Sequence, residues 1–242
     1  MDRDFKSLAI IIKKEKKGER NALLTLLSPD LGLIKAISYG SSRSPKGDRF
    51  PLYAEGLFSL SKKGENAIYV KDVEILTDHD WVKNSLDKIG WVTLFSELVI
   101  LSRLCDSSIY SLYTSVLDEM ESNNVDRCAV YFISHFLLVE GLSGDWKVCP
   151  MCQREYRDDE ILGFSTLSGT ACCSNCDTLS SSLILPPNAR RYIMYVSSSD
   201  IETSLSYKIS DEFVKKISHY LVRTLEVSFP ARLKTIESGL LG

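Results

Sequence analysis

Two short cysteine pairs constrain this chain more than anything else in it. Cys149-Pro150-Met151-Cys152 and Cys173-Ser174-Asn175-Cys176 stand 20 residues apart. Paired CxxC turns at that separation have the spacing of a four-thiolate zinc site. Zn²⁺ wants four ligands in a tetrahedron, and each CxxC turn lets two sulfurs converge while backbone amides face them. The candidate ligands are therefore Cys149, Cys152, Cys173 and Cys176, holding one zinc per chain. Four protein ligands leave no open position, so the expected site is structural. Residues 164–169 between the pairs read as a short hairpin, which makes the whole a zinc ribbon. The Cys172–Cys173 doublet leaves a second register open, a CxxxC through Cys172; the commoner CxxC geometry favours Cys173. Cys105 and Cys128 fall on apolar helical faces and read as core. A redox role for either CxxC would want a βαβ context, which the pattern lacks.

The compartment supports that reading. No run of 18 apolar residues occurs, so no span of a bilayer is expected. Met1-Asp2-Arg3-Asp4-Phe5-Lys6 is charged and leads into a short apolar run with no small-residue cleavage site after it, unlike a signal peptide. A cytoplasmic protein is expected, with reduced thiols free to ligate metal.

The 242 residues allow one large domain or two small ones with an insert. Residues 7–76 read as strands. Leu8-Ala9-Ile10-Ile11-Ile12 is an apolar run of strand length, and residues 13–20 form a charged loop. Strand-like segments follow at 22–27, 33–38, 53–60 and 67–76, with turns marked by Pro29, Gly32 and Gly64. Five short strands at this spacing suggest a small closed barrel. Near residue 80 the period changes. Leu94, Leu98, Leu101 and Cys105 recur at helical spacing, as do Tyr110, Tyr113 and Met120, and Cys128, Phe132, Phe136 and Val139. Residues 144–187 are rich in Cys, Ser, Gly and Asp. Helical patterning then returns, clearest at Phe213, Ile217, Tyr220, Leu221 and Leu225. The fold class is α+β: an N-terminal five-stranded OB-like β-barrel over 1–80, and a C-terminal α-helical domain over 81–242 interrupted by the zinc ribbon at about 144–187.

Net charge is −3, which excludes a uniformly basic nucleic-acid binder. The charge is uneven, however: residues 3–49 hold 11 basic and 5 acidic side chains. A polyanion should meet this part first. The candidate contacts are Lys13, Lys14, Lys16, Lys17 and Arg20 on one connection, and Arg43, Lys46 and Arg49 on another. Small residues in Tyr39-Gly40-Ser41-Ser42-Arg43 allow close approach to a phosphate chain. Tyr39, Phe50 and Tyr53 are aromatics placed to stack on bases, although Phe50 and Tyr53 also fit a core.

Catalytic patterns are sparse. There is no GxxxxGK[ST], HExxH or GxSxG, and neither CxxC has the HxE partner of a zinc deaminase. Asp158-Asp159-Glu160 reads as a solvated acidic loop, and His135 as a core or boundary histidine. The protein is expected to act without a chemical step.

The order of parts resembles the RecO family of bacterial DNA repair and recombination mediators. The marks are residues 21–28 followed by Gly32-Leu33, then Tyr39-Gly40-Ser41-Ser42-Arg43 and residues 50–57. Residues 94–101, the helix end at 136–141, Cys149–Cys152 with 169–176, and Arg232-Leu233-Lys234-Thr235 complete the set. Ser168-Gly169 departs from the family's frequent double glycine, and the negative net charge is unusual for a DNA binder. The resemblance implies binding of single- and double-stranded DNA and annealing of complementary strands. It also implies pairing with RecR, contact with the C-terminal tail of single-stranded DNA-binding protein, help in loading RecA in RecF-pathway repair, and association with the nucleoid. A scaffold binding other proteins, with little DNA affinity, is the alternative. An unrecognised zinc hydrolase is a third reading; metal analysis separates it by an oxygen ligand.

Overall fold

The computed structural model describes residues 3–18, 21–39, 49–64, 67–102, 105–179 and 182–241. The chain divides into two compact units, Met1–Asp118 and Glu119–Gly242.

The first unit is built on five strands: β1 (Arg3–Lys17), β2 (Asn21–Ser28), β3 (Gly32–Ser38), β4 (Glu55–Lys63) and β5 (Ala67–Thr77). They close in the order β1-β2-β3-β5-β4. β1 serves two neighbours. Residues 3–10 pair with β4, and residues 10–17 pair with β2. A bulge between Ile11 and Lys13 turns the strand from one partner to the other. At that point Ile11 exchanges backbone hydrogen bonds with Ala54 and Tyr53 instead, at 3.0 and 2.8 Å. β3 and β5 close the barrel through a parallel pairing of three residues, Ala36, Ile37 and Ser38 against Ile68, Tyr69 and Val70. Inward positions supply the core: Ala9, Ile11, Leu24, Leu26, Ala36, Phe58 and Leu60 are all essentially closed to solvent, and Phe50 plugs the same cluster.

The charged stretch 13–17 is not a loop. It continues β1, with Lys13, Glu15 and Lys17 opposite Thr25, Leu23 and Asn21. Alternation turns these three outward, so the ladder tolerates a charge at each. The strand runs on to Lys17, and Gly18 follows it with a φ of +73°.

α1 (Leu86–Leu101) and α2 (Ser107–Met120) follow. The Ser102 amide donates to the Leu98 carbonyl and ends α1 at Leu101. Cys105 therefore lies beyond the helix rather than on its face. Its backbone carbonyl meets the turn at Gly32, where φ is +64° and an added Cβ would stand 2.6 Å from that oxygen. Gly32→Ala is expected to destabilise the protein by about 2 kcal/mol, because left-handed backbone and overpacking both oppose it. A melting curve identical to the parent's would contradict this contact.

In the second unit α3 (Val125–Val139) is buried almost all round, through Cys128, Val130, Phe132, Ile133, Phe136 and Leu137. Asn124 caps its start by accepting from the amides of Asp126 and Arg127. Gly141, at φ +69°, stops it: the Gly141 and Leu142 amides donate to the Leu138 and Leu137 carbonyls. α4 (Pro187–Ser197), α5 (Ile201–Leu205) and α6 (Asp211–Ser228) pack against α3, and α7 (Lys234–Glu237) closes the chain. The face read for α6 is buried at Ile217, Tyr220, Leu221 and Leu225; Val214 joins it, and Phe213 is half-exposed. Between α3 and α4 stands the ribbon, with β6 (Gly163–Ser165) and β7 (Thr170–Cys172) as its antiparallel hairpin.

Candidate metal centre and nucleic-acid interface

The ribbon brings four sulfurs together. The Sγ atoms of Cys149, Cys152, Cys173 and Cys176 all lie within 4.8 Å of one another, and those of Cys152 and Cys173 are 3.7 Å apart. A tetrahedron with ~2.3 Å metal–sulfur bonds has sulfur–sulfur edges of roughly 3.8 Å, so the donor set fits zinc. The first turn is shaped by Gln153, whose φ of 62° lets its amide reach the Cys149 carbonyl at 2.9 Å. In the second turn the Cys176 amide donates to the Cys173 carbonyl at 2.9 Å. Burial opposes ionisation of Cys149, yet the amides of Cys173, Cys152 and Met151 hold its thiol down, at about 6. That is the thiolate state a metal needs.

Cys172 is not in the cluster. Successive residues on an extended segment face opposite ways, and burial pushes the Cys172 thiol up to about 12. Among the described residues the four cysteines are the one group placed to hold a metal. Glu160 of the acidic run turns inward instead, 6% exposed and paired with Arg154. The His135 Nε2–H donates to the Val196 carbonyl at 3.0 Å, and burial pulls its imidazole below the ordinary range.

The ribbon is fastened to the helices. Leu162 and Leu185 exchange backbone bonds at 3.0 and 2.8 Å across its base. Phe164 meets the Tyr220 ring of α6 edge-on at 5.8 Å. Arg190 of α4 donates to the Arg157 and Asp158 carbonyls at 2.8 and 3.3 Å.

On the barrel the predicted cations divide. Lys13 is paired with Glu15 at 3.1 Å. The Lys14 ammonium donates to the Phe50 carbonyl at 3.0 Å. Arg49 is bound to Asp72 at 2.7 Å and to the Lys71 carbonyl at 3.0 Å. Lys16 and Lys17 stand exposed. Arg20, Arg43 and Lys46 lie outside the described residues. Of the aromatics, Phe50 and Tyr53 are buried, at 1% and 7%, while Tyr39 is 58% exposed.

Two adjoining hollows on the barrel are bordered by lysines, most of them outside the predicted set. Lys17, Lys35 and Lys63 border a shallow hollow of about 500 Å³ floored by Leu23, Ile37 and Ile68. Lys6, Lys35 and Lys62 border a second, of about 870 Å³, that shares Lys35 and Ile68 with the first. Asp30 lines the second hollow; Asp4 is paired with Lys71 at 2.6 Å. Lys17 and Lys63 are the last residues before the β1–β2 and β4–β5 turns. OB-folds bind oligonucleotides with the strand 2–3 face and these same two turns. Lys6, Lys35, Lys62 and Lys63 escaped sequence reasoning because the pairing of β3 with β5 and of β1 with β4 gathers them, and no local pattern announces either.

No family model matches the chain. Curated relatives do. The chain is 26% identical to DNA repair protein RecO of Dehalococcoides mccartyi over 220 residues, covering 88% of this chain and 86% of that one. It is 24% identical to DNA repair protein RecO of Caldanaerobacter subterraneus over 242 residues, 95% and 96% of the two chains. It is 34% identical to DNA repair protein RecO of Synechococcus elongatus over 106 residues, 43% and 40% of the two. Among the described residues no helix is long and apolar enough to cross a membrane.

Proposed function

We propose, on the premise that this chain resembles RecO along almost its whole length, that it is a DNA repair and recombination mediator whose barrel holds DNA without altering it. The observation that carries this is the five-lysine face on an OB-type barrel. Annealing brings two like-charged strands together, and a cationic face assists by displacing counterions. No bond need be made or broken. The finer roles follow the resemblance: binding of single- and double-stranded DNA, work with RecR, contact with the tail of single-stranded DNA-binding protein, and help in loading RecA in the RecF pathway. The four cysteines hold one structural zinc per chain.

The test is charge reversal read by oligonucleotide titration against salt. Lys17→Glu, Lys35→Glu and Lys63→Glu together are expected to weaken binding and to flatten the salt dependence by about 0.7 in log–log slope per lost single-strand phosphate contact. Reversal of Lys13 and Lys14 should do less, since their ammonium groups are already engaged. Equal effects from the two sets would move the interface away from the strand 2–3 face. Those engaged cations also favour the second reading, a scaffold for other proteins. Its mark is intact partner binding with negligible DNA affinity in the parent.

A further inference from the structure

The lysines leave one part of this face unexplained. Tyr39, the residue after β3, is 58% exposed. Its ring nevertheless lies flat against that of Tyr69 on β5, with centroids 5.4 Å apart and planes 7° from parallel. The Lys63 ammonium stands 5.6 Å from the centre of the Tyr69 ring. The parallel pairing that sets Ile37 opposite Tyr69 brings the two rings to the same outer surface.

An ordered stack that leaves more than half of one tyrosine's surface in water contributes little to a core. It is, however, shaped for a flat aromatic ligand. An unpaired base is such a ligand, and it arrives on a phosphate chain that Lys17, Lys35 and Lys63 attract. A base inside a duplex is already stacked on both faces and offers only its edges in the grooves. We propose that the Tyr39–Tyr69 pair is a stacking platform for one unpaired base, and that it makes this face favour single strands over duplex. The inference rests on the nucleic-acid reading of the lysine face and adds to it the feature that tells the two forms apart.

The experiment uses the full chain with a fluorescent single-stranded oligonucleotide and a duplex of the same length, each titrated over a range of salt. Tyr39→Ala is expected to weaken single-strand binding by roughly 5- to 100-fold, the equivalent of ~1–3 kcal/mol for one stacked base. Duplex binding should be unchanged. The salt slope should also be unchanged, because no phosphate contact is removed. Tyr39→Phe keeps the ring and should restore single-strand affinity. Unaltered single-strand binding by Tyr39→Ala, an equal loss on both oligonucleotides, or failure of phenylalanine to restore it would each overturn the platform. If the lysine reversals weaken binding while Tyr39→Ala does not, the platform alone falls. If the parent binds neither oligonucleotide, the nucleic-acid reading falls and takes the platform with it.

Discussion

Cys149→Ala is expected to remove the metal and unfold the ribbon. Cys149 is the most enclosed of the four sulfurs' residues, at 0% exposure, and three amides converge on it. The hairpin itself is short, three residues on each strand, and a two-stranded hairpin is marginal alone. Four-thiolate zinc contributes on the order of 10 kcal/mol to the folding of small zinc domains, so a zinc held by these sulfurs would supply most of the ribbon's local stability. Metal analysis should fall from one zinc per chain to none, and amide exchange should accelerate over the ribbon. Because Phe164 and Arg190 tie it to α6 and α4, the loss should spread into the helices as a lower melting temperature. Cys172→Ala is the contrast: it should keep the zinc and cost about 1 kcal/mol of packing. Retention of stoichiometric zinc by Cys149→Ala, or its loss from Cys172→Ala, would refute the ligand set.

Arg127→Ala should produce the next largest effect, with no bearing on metal or DNA. Arg127 enters from the first turn of α3 with a side chain only 13% exposed. Its guanidinium donates to Asp211 at 2.9 Å, to the Leu205 and Tyr207 carbonyls at 3.2 and 2.8 Å, and to the Ile209 carbonyl. One planar fork thus holds the whole connection from α5 to α6. Asp211 is itself largely exposed, so the cost lies mainly in the charge-assisted hydrogen bonds to the three partly buried carbonyls, about 3–4 kcal/mol together. At ~2–4 °C per kcal/mol, the melting temperature should drop by roughly 6–16 °C. Arg127→Lys carries the charge without the fork and should recover less than half. Full recovery by lysine would show that charge alone, rather than geometry, holds the connection.

The parts that could be read ahead were those with a local period or a fixed spacing. The two CxxC turns, the Phe164–Gly169 hairpin and the apolar face of α6 each depend on neighbours a few residues away. The strand count was legible for the same reason. The end of β1 was not. Four lysines and a glutamate in residues 13–17 look like a solvated loop, but their pairing is dictated by β2, whose Leu24 and Ala22 lie opposite Lys14 and Lys16. Cys105 fits the helical period of α1 by residue number, yet the helix has already ended at Leu101. The lysine face was legible only in sign. That the N-terminal part is cationic follows from counting; that Lys35 and Lys63 share a hollow follows from a crossover no local window contains.

The parallel rungs between β3 and β5 also dictate how the barrel assembles. β1-β2-β3 is a meander and β4-β5 a hairpin, each joined through short turns, so both can form early. Only the β1–β4 and β3–β5 contacts demand that distant stretches meet, and these carry the loop-closure entropy. With three residue pairs against eight for β1–β4, the β3–β5 seam is the narrowest join in the barrel, and it is the seam that sets Lys35 and the two tyrosines side by side.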